Sequence, residues 1–236
     1  MLSRVFQETI NDLFSKKKFG EIIKKVEEFS SQKERPAGLS SLLGVCRMLN
    51  NHKSASDLIS ALNDFEDAFN KSQDNNLSVE ALCNYISVCM GDFRKYIDIQ
   101  KYFLIAKKMF LKIEKKNGYN EKLFIYGVDL FNYFCDHNKL KFILSSLIKN
   151  NCKSKSIACS YGFFNNYTYD WTQEDYYKFS INFKKYFSKY ETKNLNQIDF
   201  NKNKKIKICF ISADFLSHSL SYYTSALLNN LDKNKF

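Results

Sequence analysis

Residues 121–149, EKLFIYGVDLFNYFCDHNKLKFILSSLIK, decide the fold. Leu123, Phe124, Gly127, Val128, Phe131, Phe134 and Cys135 recur at three- and four-residue steps. After the polar interruption Asp136-His137-Asn138, Leu140, Ile143, Leu144, Leu147 and Ile148 do so again. Each set puts one apolar stripe on one helix face, and an interruption this short forces the two helices to pack as an antiparallel hairpin.

The same pattern extends upstream. Tyr102, Phe103, Ala106, Met109, Phe110 and Ile113 form a stripe that ends at the Asn117-Gly118 break, and Leu82, Ile86, Cys89, Met90, Phe93 and Ile97 form the one before it. Hairpins recurring at intervals of about 34 to 40 residues predict a solenoid of helix pairs. Leu43-Gly44 with Arg47, followed by Ala61, Phe65 and Ala68, resembles a tetratricopeptide (TPR) repeat: Leu-Gly and then an aromatic in the first helix, Ala-x3-Phe-x2-Ala in the second. Small residues let the helices approach closely, and the phenylalanine fills the space between neighbouring hairpins. Two departures stand out: Arg47 occupies the aromatic position, and about five extra residues separate the two halves.

Composition supports packed helices and excludes several classes. In 236 residues the hydrophobic share is 44%, aromatics reach 16%, and there are 7 glycines and 1 proline, too few turn formers for an all-β fold. No apolar run is long enough for a membrane span, and Glu8 and Asp12 interrupt the N-terminal segment where a signal peptide would be apolar, so a cytoplasmic protein is expected. The seven cysteines form no CxxC pair and read as reduced structural thiols; His52, His137 and His218 lie too far apart for a local ligand pair, so no metal is expected.

The net charge of +11 is unevenly spread. Residues 1–100 carry 13 basic and 14 acidic side chains, whereas residues 101–236 carry 23 and 11. Such a basic half attracts phosphates in principle, but Arg4, Arg35, Arg47 and Arg94 are the only arginines and none lies in it. Arginine is the usual reader of base edges and bidentate partner of phosphate, so the lysines read as solvated helix faces, which weighs against nucleic acid.

Downstream, Tyr161, Phe163, Phe164, Tyr167, Tyr169 and Trp171 crowd together, which reads as core packing at a junction rather than base stacking. Thr172 and Asp175 form a capping-box variant opening a helix with an inner stripe of Tyr176, Phe179, Phe183, Tyr186, Phe187 and Tyr190. Residues 191–205, ETKNLNQIDFNKNKK, then read as a linker. Ile206, Ile208, Cys209, Phe210 and Ile211 suit a buried parallel strand, and Leu220, Tyr223, Leu227, Leu228 and Leu231 return to helical spacing. Strand, polar loop and helix make the opening of a Rossmann-like unit, without phosphate-binding glycines in the loop. Three regions follow: a TPR-like helical region over 1–155, an aromatic helical junction and linker over 156–203, and the start of an α/β domain over 204–236.

The segment KIKICFISADFLSHSLSYYTSALLNNLDKNKF resembles the first strand, loop and helix of the catalytic domain in TPR-containing O-linked N-acetylglucosamine transferases and SPINDLY-like glycosyltransferases. Their pattern is a basic residue, an apolar strand, Ser-x-Asp-Phe-x-x-His-Pro, a helix and Asp-x-x-x-Phe. Ser212, Asp214, Phe215, His218, Asp232 and Phe236 stand at matching places, with Ser219 where the family commonly has proline. The resemblance implies a mainly α chain that opens a two-lobed GT-B enzyme, transferring a sugar from a UDP-sugar donor to a protein acceptor held by the repeats. It implies no cofactor: the UDP-sugar is a substrate, bound mainly by a second lobe beyond Phe236, so these residues alone are expected to be inactive. His218 is the candidate catalytic residue, since an imidazole accepts a hydroxyl proton near neutral pH; the plainer reading is a cap on the following helix. Ser212 and Asp214 are the candidate substrate-binding residues, Asp214 chiefly by holding the loop's backbone. The alternative is a non-enzymatic helical-repeat scaffold for protein partners.

Overall fold

A computed structural model describes residues 3–32, 34–50, 54–91, 99–165, 171–183 and 219–230. Among them the regular structure is helical throughout: α1 (Arg4–Ser15), α2 (Phe19–Gln32), α3 (Ala37–Leu49), α4 (Ala55–Lys71), α5 (Asn75–Met90), α6 (Gln100–Asn117), α7 (Glu121–Tyr133), α8 (His137–Lys149), α9 (Lys155–Asn165), α10 (Gln173–Phe183) and α11 (Ser219–Asn230). The chain divides into two compact units, Met1–Ser188 and Lys189–Phe236. The expected strand over 206–211 lies outside the described residues.

The first unit is an array of helix hairpins. Each helix from α1 to α9 packs on the next, and α5 also touches α3 and α7, so the first helices of successive hairpins form a layer of their own. Tight turns keep neighbours antiparallel. Lys17, Cys135 and Asn151 take left-handed φ values of 56°, 50° and 57° in the turns after α1, α7 and α8, and Gly118 does so with φ 68° after α6. Helix starts are capped from the side chain: Ser54 and Asp57 form a reciprocal box on α4 and Thr172 with Asp175 one on α10, while Asp136 accepts from the Lys139 backbone N–H to open α8. Asp136 also binds Lys107 at 3.1 Å, and that hydrogen bond is the main cause holding its carboxyl below the usual range.

The repeat-like spacing has a physical basis in glycine. A Cβ on Gly44 in α3 would lie 2.7 Å from the Phe65 ring in α4, and one on Gly127 in α7 would lie 2.6 Å from Phe110 in α6 and 3.1 Å from Ile143 in α8. Gly162 in α9 meets Phe179 in α10 in the same way, at 2.7 Å. Three hairpins thus seat a ring or branched side chain where a glycine lets two backbones close.

The core has two parts. Ile10, Leu13, Ile22, Val26, Leu39, Leu43 and Cys46 knit α1 to α3, and a larger cluster runs from α4 through α9. The central helix, α5, differs from the single stripe that periodicity suggests: Val79, Ala81, Leu82, Cys83, Tyr85, Ile86, Val88 and Cys89 are buried together, so apolar residues cover more than half of its circumference and only the sector of Asn76 and Glu80 is exposed. It ends at Met90, and Phe93 and Ile97 lie outside the described residues. The stripe of α7 is also shorter than its spacing suggests, because the chain turns at Phe134 and leaves Cys135 exposed. Trp171 packs on Tyr161, Tyr176 and Phe179 at ring-centroid distances of 5.3, 5.0 and 5.3 Å, as expected of packing at a junction, but Phe163 from the same run stays 63% exposed. Tyr167, Tyr169, Tyr186, Phe187 and Tyr190 lie outside the described residues.

Candidate functional site

His218, Ser212 and Asp214 all lie outside the described residues, so the geometry that can be read belongs to the array and to α11. That helix begins at Ser219, directly after His218, and has Leu227 and Leu228 exposed. Leu231 lies outside the described residues.

Arg47, standing where a TPR repeat has an aromatic, donates from Nε to Asp64 at 2.9 Å and from Nη2 to Glu27 at 2.6 Å. Arg35 binds the other oxygen of Asp64 at 2.8 Å, Ser40 donates to Asp67 at 2.6 Å, and Lys71 joins Asp67 at 3.0 Å. Burial pushes the Asp64 carboxyl up, against the pull of both arginines. The network therefore fixes the register of α2, α3 and α4 and commits two of the four arginines to structure rather than to ligands.

Two concave sites stand out among the described residues. A cavity of about 330 Å³ opens between α7, α8 and α9, with Val128, Leu140, Leu144 and Phe163 among its apolar walls and Asp129, Asn132, His137 and Ser160 as polar groups. The His137 ring lies 6.0 Å from that of Phe164. A shallower hollow of about 450 Å³ sits where α6 and α8 end, lined by Glu114, Tyr119, Phe142 and Lys149 among others. The chain supplies its own cation there: Lys139 binds Glu114 at 2.6 Å and lies 4.7 Å from the Phe142 ring centroid. The first cavity is the better candidate for an outside side chain, since its apolar walls stand beside polar groups that can orient a ligand.

No group of three or more His, Cys, Asp or Glu side chains able to hold a metal occurs among the described residues. Burial pushes the thiols of Cys46 to about 11 and of Cys83 and Cys89 to about 12, so they stay protonated at neutral pH and serve as small hydrophobes. Cys135 and Cys159 are exposed free thiols. No described helix is long and apolar enough to cross a membrane. No known protein family, curated protein or solved structure matches the chain.

Proposed function

We propose that the chain joins a TPR-like protein-binding array to the opening of a GT-B glycosyltransferase domain of the O-linked N-acetylglucosamine transferase kind. The observation that supports this reading is the order of parts: hairpins with a side-chain-sized groove, then a linker-like segment, then Ser212-Ala-Asp-Phe-Leu-Ser-His218 running straight into α11. In this reading the groove between α7, α8 and α9 takes an apolar side chain of a protein acceptor. His218, at the carboxyl end of the first strand of a Rossmann-like unit, accepts the proton of the acceptor group, and Ser212 and Asp214 hold the loop toward substrate. The UDP-sugar is bound chiefly by chain beyond Phe236.

The test uses the native gene product with whatever sequence follows Phe236. Transfer from a panel of UDP-sugars to protein acceptors is expected, and His218→Ala should lower turnover about 100-fold or more while the helical circular dichroism stays unchanged. Near-wild-type turnover removes His218 from the chemistry. A product that transfers no sugar and releases no UDP leaves the protein-binding scaffold, which the apolar groove favours on its own.

A further inference from the structure

Helix α6 has an outer face unlike that of any other described helix. In its 18 residues, QKYFLIAKKMFLKIEKKN, there are six lysines and one acidic side chain, Glu114, which is taken by Lys139. Tyr102, Phe103, Ala106, Met109, Phe110 and Ile113 turn into the core. The opposite side presents Lys101, Leu104, Lys108, Leu111 and Lys115, with Leu104 45% and Leu111 43% exposed. Labelled as heptads, lysine fills every a position and leucine every d position over a helix about 27 Å long. Of the six lysines, Lys107 is drawn inward to Asp136, Lys112 lies 5.4 Å from the Phe69 ring centroid and Lys101 5.6 Å from that of Tyr102.

We propose that this face is a docking seam for a helix of a partner protein, with acidic residues at a and leucine-type residues at d, lying parallel to α6. The leucines supply two apolar layers, and each lysine layer then meets a carboxylate in place of another cation. A second copy of the chain is disfavoured at this seam because lysine would face lysine in every a layer. A bilayer fits less well: two half-exposed leucines flanked by lysines offer little area to insert, whereas an interfacial helix needs a broad apolar face. The inference is independent of the transferase reading, since it uses only residues of the first unit.

The whole chain is titrated into a fluorescein-labelled three-heptad peptide with glutamate at a, leucine at d and alanine or glutamine elsewhere, read by anisotropy. The expected result is binding at least tenfold tighter than that of a peptide with lysine at a, and weakening with salt. The charge-reversed variant Lys108→Glu with Lys115→Glu should invert that preference, which a misfolded protein would not do, and Leu104→Ser with Leu111→Ser should weaken both peptides about tenfold. Equal affinity for the glutamate, lysine and sequence-scrambled peptides overturns the proposal. So does cosedimentation with vesicles containing phosphatidylserine that is lost in the charge-reversed variant while the glutamate peptide fails to bind.

Discussion

Helices α5 and α6 are neighbours of similar length and both are rich in apolar residues, yet the structure uses them in opposite ways. In α5, NNLSVEALCNYISVCM, there is no lysine or arginine, and α3, α4, α6 and α7 cover most of it, with Asn75, Asn76 and Glu80 left exposed. In α6 half of the circumference is core and the other half is lysine and leucine in water. An apolar side chain therefore carries different weight in each: in α5 it is packing, in α6 it is either packing or an offered surface, according to its place on the helix.

The same truncation made in both helices sharpens the contrast. Leu82→Ala in α5 removes a fully buried side chain and should cost about 3 kcal/mol of unfolding free energy in urea titration, transfer and cavity terms together. A loss under about 1 kcal/mol would mean that the centre of the array repacks freely. Tyr85 tests a polar exception within α5. Its hydroxyl is buried with no hydrogen-bond partner among the described residues, and burial pushes its ionisation far up. Tyr85→Phe should stabilise the protein by about 1 kcal/mol, because the unsatisfied group is removed and the ring kept. Destabilisation on thermal melting would show that the hydroxyl has a partner in solution, such as a buried water. The smallest effect is expected in α6: Leu104→Ala should stay within about 0.5 kcal/mol of the parent. A cost equal to that of Leu82→Ala would break the comparison, since Leu104 would then be covered in the isolated protein and unable to serve as a seam.

The helices of the array were legible because their signals are local. The stripe of α6 turns inward residue for residue, the Asn117-Gly118 break is a left-handed turn, and the Thr172–Asp175 box closes as its spacing requires. Leu43-Gly44 and Phe65 marked one hairpin in the sequence, and the ring lies against that glycine inside the hairpin, a contact the spacing did not name. The ion network was missed although its traces are visible: Arg47 stands in an aromatic's place, and Asp64 precedes Phe65 inside an apolar helix run. Pairing them needs α2, α3 and α4 brought together across 20 and 17 residues of sequence. The Lys-Leu heptad of α6 is likewise plain in the sequence, but a lysine-rich face reads as ordinary solvation until its other half is known to be buried. The candidate catalytic loop rests on a resemblance carried by 204–236.

Sequence by itself determined that this chain is mainly helical, that helices break at Asn117-Gly118 and at Asp136-His137-Asn138 and begin after Thr172, and that its front and back halves differ in charge, because periodicity, caps and composition act over one or two turns. Tertiary structure alone decided that α5 is buried over most of its circumference while α6 offers a face, that the groove lies between α7, α8 and α9, and that two arginines are spent on a buried carboxylate. Those outcomes depend on which surfaces meet, and burial is a property of the assembled neighbours rather than of any one helix.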